Sequence, residues 1–331
     1  MRFVTDNKIS LDKWDQFNKS SPFSSPFQTK EFYEIINKVP GYKAHIITLE
    51  DEEKILALAL IAIQKEPGLL GSFTKRGIIY GGPILNLIKQ ETNSILIKGI
   101  HNYFKKEAIY FETRNAFDFT GFSNSFQQNG WSYSSNLNVK LNLQDKSIEE
   151  LLSGMKYNRK REIRISLENG ATYRTCEKIE ELNEFYNLLH NLYSEVVKLP
   201  LPPFEFFLGA MISSIGKIFI VEHNKNIIGG SVCFYLANKD IYTMYYCGDR
   251  NYNKKIYPTH LSILAAIEFG LTQKIKTLDF MGAGKKEKEY GVRQYKLEFG
   301  GDLIEHGRFI KISHPLLYWI GKTGLKIYRK V

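Results

Sequence analysis

The chain has only three cysteines in 331 residues, Cys176, Cys233 and Cys247, an odd number at wide spacing. That excludes a disulfide framework and a CxxC metal knuckle, and leaves them as small apolar residues of the interior. The seven histidines stand apart with no HExxH or comparable spacing, so no metal site is expected. Long apolar runs are also missing. The longest, Ile55 to Ile63, falls far short of the ~18 residues that cross a bilayer, and the opening MRFVTDNKIS has no apolar core of the kind an export signal carries. The chain therefore reads as cytoplasmic. Acidic residues are the minority charge: 35 Asp and Glu against 45 Lys and Arg give a formal net charge of +10, which favours phosphate-bearing partners such as nucleotides, anionic lipid headgroups or RNA.

The composition that remains, 43% hydrophobic and 14% aromatic, is that of a globular protein, and the length suits two ordinary cores. In the second half, KIFIVEH (217–223), IIGGSVCFYLA (227–237) and IYTMYYC (241–247) are β-rich runs separated by NKN and NKD, turn sequences that predict an antiparallel meander. A loop ending in Pro258 and Thr259, with Thr259 as the expected N-cap, opens a helical run to about residue 271, and KTLDFMG (276–282) is a further strand. The first half repeats the order without the letters: YKAHIITLE (42–50), KILALALIAI (54–63) and RGIIYGGPI (76–84), then a helical run from about 87 to 106, then AIYFETR (108–114). A short strand and two helical stretches precede each meander, and a helix, a Gly break and a strand follow each fifth strand. This is a duplication visible in element order, and it predicts an α/β (α+β) chain of two domains, 1–150 and 151–331.

That order resembles the GNAT acyltransferase fold. Duplicated, with a basic helix between the halves, it resembles the Fem-type (FemAB-like) aminoacyltransferases that build peptidoglycan cross-bridges. Four stretches carry the resemblance: FQTKEFYEII (27–36), YGGPI (80–84), KREIRISLENGATYR (160–174), and LDFMGAG (278–284) followed by YKLEFGG (295–301). The family's long helical-hairpin arm is absent, since Gly170 leads straight into the next strand. The resemblance implies tandem GNAT-like domains with mixed, mostly antiparallel sheets flanked by helices, the second domain opened by the basic helix and carrying the chemistry.

The basic stretch places Lys156, Arg159, Lys160, Arg161 and Arg164 within three helical turns, a solvated face or a phosphate-binding one. The resemblance singles out Arg161, with Lys160 and Arg164 beside it, and guanidinium forks match a diphosphate. Tyr80, Gly81 and Gly82 make a tight turn or let backbone approach a ligand, and the resemblance places them near the acceptor. Ordinary acetyl-CoA users of this fold carry a glycine-rich diphosphate loop before the helix. Here GDRNYNKKIYPT (248–259) has a single glycine, leaving Arg250, Lys254, Lys255 and the helix start at Thr259 to meet a phosphate.

In EYGVRQYKLEFGG (289–301), Val292, Tyr295 and Phe299 form an apolar stripe and Lys296 lies on its edge, either snorkelling to water or partly desolvated. The resemblance assigns the Tyr295–Lys296 pair to stabilising the oxyanion of acyl transfer. Asp279 would orient or deprotonate the amine, or else cap the following loop. The expectation is therefore an acyltransferase forming an amide on an amine of a cell-envelope precursor, such as a peptidoglycan peptide stem or a related lipid- or UDP-linked acceptor. It needs no tightly bound cofactor, takes aminoacyl-tRNA or acyl-CoA as donor, and acts as a monomer or weak dimer. Its rivals are an acyl-CoA-dependent N-acyltransferase acting on an amino sugar in surface-polysaccharide synthesis, and a non-catalytic duplicate that binds RNA or anionic membrane. The tail HPLLYWIGKTGLKIYRKV (314–331) lies on the inner face of the membrane or packs as a terminal helix.

Overall fold

The computed structural model describes residues 1–52, 54–66, 71, 73–249 and 251–328, the side chains of 325–328 excepted; Arg250 lies outside them. The first half runs β1 (Arg2–Thr5), α1 (Leu11–Ser20), α2 (Lys30–Lys38), β2 (Tyr42–Asp51), β3 (Lys54–Gln64), β4 (Arg76–Gly81), α3 (Gln90–Phe104), β5 (Tyr110–Asn115), α4 (Ser123–Gln128), β6 (Ser132–Ser134) and β7 (Leu137–Asn142). The short acidic α5 (Ile148–Gly154) follows, and then the basic segment as α6 (Tyr157–Glu168). The second half then runs β8 (Thr172–Thr175), α7 (Ile179–Leu192), α8 (Phe204–Ile212), β9 (Gly216–His223), β10 (Asn226–Tyr235), β11 (Asp240–Gly248), α9 (Pro258–Thr272), β12 (Thr277–Gly282), α10 (Gly291–Leu297), β13 (Asp302–Glu305), β14 (Arg308–Ile312) and α11 (Pro315–Tyr328). The duplicated order expected from the sequence is present element by element.

Local chemistry explains the meander. His223 pairs with Asn226 across a two-residue turn, and both turn residues, Asn224 (φ 49°) and Lys225 (φ 66°), are left-handed, the conformation that matches strand twist in a tight hairpin. Among the described residues the strands form two seven-stranded sheets, in the orders β1-β2-β3-β4-β5-β14-β6 and β8-β9-β10-β11-β12-β7-β13. Position by position these are the same sheet, with one exchange. The sixth place of each is filled from the other half of the sequence, β14 in the first and β7 in the second.

That exchange corrects the expected division at 150/151. The chain separates into one unit of residues 1–135 with 305–331, and another of 136–304. The cause is burial. On β14, Phe309 is fully buried and stacks on Phe126 at 4.0 Å inside the first core, while β7 contributes Val139 and Leu141 to the second. Each such side chain contributes about 1.5–3 kcal/mol by leaving water, so an apolar strand is retained by whichever core it completes.

The two sheets differ at one junction. β4 and β5 run parallel through six register pairs, from Arg76↔Tyr110 to Gly81↔Asn115. The equivalent β11 and β12 pair over only three, Asp240↔Thr277, Ile241↔Leu278 and Tyr242↔Asp279. Beyond them β11 carries an extra residue, Met244, because Val232 faces Tyr245 while Cys233 faces Thr243. A bulge of this kind bends its strand. From Thr243 onward β11 has no register partner on β12, and the second sheet is open where the first is closed.

Candidate active site

Lys296 stands at that opening. It is only 4% exposed, and its Nζ donates to the carbonyl oxygens of Phe280 (2.6 Å) and Gly282 (2.7 Å), with Met281 O at 3.4 Å. On the other side lies the ring of Tyr246, on β11, 6.0 Å from Nζ. The ammonium therefore occupies the gap between the end of β12 and the diverging part of β11. Burial draws its pKa down to about 8, against a smaller opposing effect of the Asp279 carboxylate. At neutral pH it remains mostly charged. The long contact to Met281 leaves one N–H able to turn to an incoming oxygen.

The β12 terminus is shaped to receive this lysine. Met281 is held at φ 58°, unusual for a side chain of its size. Asp279 fixes that turn: its Oδ1 accepts from Met281 N–H at 2.6 Å, Asn138 Nδ2 donates to both carboxylate oxygens at 3.2 and 3.1 Å, and Lys140 Nζ lies 3.8 Å from Oδ2. Burial raises the Asp279 pKa, and Lys140, the Met281 amide and Asn138 oppose that rise. Of the roles open to Asp279 from sequence, the loop cap is the one the hydrogen bonds form. Asn138 and Lys140 come from the exchanged strand β7.

Helix α10 is aimed by its aromatic face. Tyr295 lies between Tyr246, stacked at 6.0 Å and 20°, and the Arg159 guanidinium, 4.4 Å from its ring; the same guanidinium is 4.7 Å from the Phe299 ring. Arg159 is 3% exposed; it donates to Glu298 Oε2 at 2.5 Å and to His260 Nε2, and lies 3.7 Å from Glu162. His260 Nε2 is 2.9 Å from Glu162 Oε2, and its Nδ1 is 3.4 Å from Tyr295 Oη. Burial, then Arg159, lowers the His260 pKa to about 3, so the imidazole is neutral. Gly300 ends the helix at φ 87°, where a Cβ would come within 2.8 Å of the Gly154 carbonyl oxygen; this is the stop expected from Phe-Gly-Gly.

Of the residues singled out from sequence, Tyr295, Lys296 and Asp279 converge here. The inward arginine of α6 is Arg159 rather than Arg161. Arg159, Ile163 and Ser166 form the helix's buried face, in line with buried Met155 just before the helix, whereas Lys160, Arg161 and Arg164 face solvent, with Arg164 3.6 Å from Glu168. The missed signal was spacing, since Arg159 continues the 155–163–166 inward row. Thr259 is not the N-cap of α9. Tyr257 holds that place, with Pro258 next and Ser166 Oγ accepting from Tyr257 N–H at 2.9 Å.

The preceding loop offers a diphosphate little. The amide of Asn251 is bound by the Asp249 carboxylate and that of Lys255 by Asn253 Oδ1, both at 2.9 Å, and Lys254 and Lys255 are exposed. Tyr80, Gly81 and Gly82 lie in the first unit. Tyr80 is 4% exposed against Phe27 and Phe32; Cβ atoms on Gly81 (φ 77°) and Gly82 (φ 83°) would meet Ser25 and Phe119. The two glycines make room for the protein's own side chains, not for an open ligand face. The three cysteines are buried and free, and burial pushes the thiol of Cys176 up to about 11 and that of Cys233 to about 12.

No family model matches the sequence, and no curated protein matches it. Solved structures match the fold along nearly the whole chain. FemX superposes with a TM-score of 0.72 at 16% identity, covering 97% of this chain and 99% of that one. The C-terminal domain of a putative lysylphosphatidylglycerol synthetase from Agrobacterium fabrum gives 0.62 at 8% identity, over 95% and 96%. A tandem GNAT protein from the clavulanic acid biosynthesis pathway gives 0.60 at 8%, over 94% and 98%. The fold is thus a duplicated GNAT-like fold, as in the tandem GNAT protein.

Proposed function

We propose that the protein is an acyltransferase that forms an amide between an activated acyl or aminoacyl group and an amine of a cell-envelope precursor. The observation that carries this reading is the Lys296 ammonium, charged and nearly dry, held between two diverging parallel strands. When an amine attacks an ester or thioester carbonyl, negative charge gathers on the carbonyl oxygen. A cation fixed in advance, in a low-dielectric site, lowers that barrier by roughly 3 kcal/mol. Beyond Tyr242 the edge of β11 that faces away from β10 has no register partner on β12, and an extended donor chain can lie along that opening. Asp279 acts on Lys296 through the Met281 turn, and Arg159 acts on it through Tyr295.

The loop before α9 favours an aminoacyl ester over acyl-CoA, since its Asx-bonded amides and the Asp249 carboxylate make a poor diphosphate cradle. The likeness to FemX and to a putative lysylphosphatidylglycerol synthetase supports an envelope acceptor; an acyl-CoA donor acting on an amino sugar is the other reading of the same site. A donor screen tests this directly: charged tRNAs and acyl-CoAs, each offered with lipid-linked and UDP-linked amine acceptors. Amide product from an aminoacyl-tRNA supports the proposal. Product from acyl-CoA alone moves it to the second reading, and no transfer in any combination overturns both.

A further inference from the structure

We propose that helix α11 docks the protein onto an anionic lipid surface, with Leu316, Trp319 and Ile320 entering the headgroup region. Among the described side chains of α11 the contacts lie on one side. Tyr318 meets Tyr110 edge to face at 5.2 Å, and His314, just before the helix, has Nε2 3.1 Å from Lys105 O. A Cβ on Gly321 would be 3.0 Å from the Phe73 carbonyl oxygen, so that turn of α11 runs close against the chain at Phe73. The opposite side carries Leu316 (70% exposed), Trp319 (64%) and Ile320 (40%) at i, i+3 and i+4. Three large apolar side chains on one helical face, one of them tryptophan, are the pattern of an interfacial helix.

Charge identifies the occupant. Residues 306–331 contain no Asp or Glu, while Lys311, Lys322, Lys326, Arg329 and Lys330 are cationic; Arg308 is paired with Glu112 at 2.5 Å. Exposed Lys105 and Lys106 lie at the start of α11, because the Lys105 carbonyl is the one His314 meets. A second copy would bring this cationic segment against itself, and nucleic acid would use the lysines but leave the apolar face in water. An anionic bilayer satisfies both. Fourteen residues span about 21 Å as a helix, less than the ~30 Å hydrocarbon core, so α11 lies in the surface plane. The inference is independent of Lys296 and of the donor.

The test uses the full chain with vesicles of phosphatidylcholine alone or mixed with phosphatidylglycerol. Trp14 and Trp131 are 3% and 2% exposed, so a vesicle-induced blue shift of emission reports Trp319. The proposal expects co-sedimentation with the anionic vesicles, weakening with salt, together with that shift. Leu316→Ser/Trp319→Ser/Ile320→Ser should lower the partition coefficient more than about tenfold, and Lys322→Ala about fivefold. Absence of anionic-vesicle binding overturns it, as does undiminished binding by the triple variant. It is equally overturned if the variant abolishes only a concentration-dependent dimer, or if tRNA but not vesicles shifts Trp319.

Discussion

At the scale of single residues, Lys296 and Asp279 set opposite demands that an experiment can separate. The ammonium must stay charged to meet an oxyanion, and its pKa near 8 places the loss of charge just above neutrality. Transfer should therefore fall as pH rises through about 8, and a Lys296→Arg variant, always charged, should lack that descending limb even at low residual rate. The Asp279 carboxylate holds the Lys296 pKa up. Asp279→Asn should move the limb to lower pH and reduce kcat by about tenfold through the loosened Met281 turn; an unmoved limb would show that the carboxylate does not act on Lys296. Arg159 belongs to stability first. Arg159→Ala leaves Glu298 and Glu162 without their guanidinium and removes its two ring contacts; both carboxylates keep access to water, so urea unfolding should report a loss of about 1–3 kcal/mol. Its burial was masked in a sequence where five cations share three turns, and only its spacing to Ile163 and Ser166 marks it as the inward one.

At the scale of elements, the first hairpin is held by a second charged cluster. His45 Nδ1 is 3.0 Å from Asp6 Oδ2 and Nε2 is 2.9 Å from Glu107 Oε2, with the ring stacked on Phe104 at 4.6 Å. Burial alone would depress His45, but its bonds to Asp6 and Glu107 outweigh it and raise the pKa above 6.5; the same bonds lower both carboxylates against their burial. The histidine's contribution is thus complete below about 6.5 and disappears as pH rises through its folded pKa, while the carboxylates' contribution disappears as pH falls through theirs. The urea midpoint of the first unit should decline from pH 6 towards alkaline pH, and His45→Gln should flatten that decline; a midpoint that rises instead would show His45 to be neutral in the fold. The meander itself was legible because Asn-Lys turns between β-rich runs leave few other conformations. The opening between β11 and β12 was not, since both strand pairs read as β-rich runs whatever the length over which they pair.

At the scale of the whole molecule, the duplicated order could be read from the sequence and the exchange of β7 and β14 could not. β7 alternates apolar and polar residues and β14 is a short apolar strand broken by Arg308 and Lys311, patterns that fit either sheet, and their placement depends on which distant core accepts Phe309, Val139 and Leu141. It follows that residues 1–150 expressed alone, lacking β14 between β5 and β6, should show no cooperative unfolding transition, and co-expression with 151–331 should restore it. A fragment that melts cooperatively by itself would mean that β14 is dispensable. The central claim is catalytic and rests on Lys296. The measurement that tests it most directly is the single-turnover rate of Lys296→Met, with the donor and acceptor found by the screen and the fold checked by circular dichroism. The account predicts an intact fold and a rate lower by about 10²–10³; transfer at the wild-type rate would contradict it.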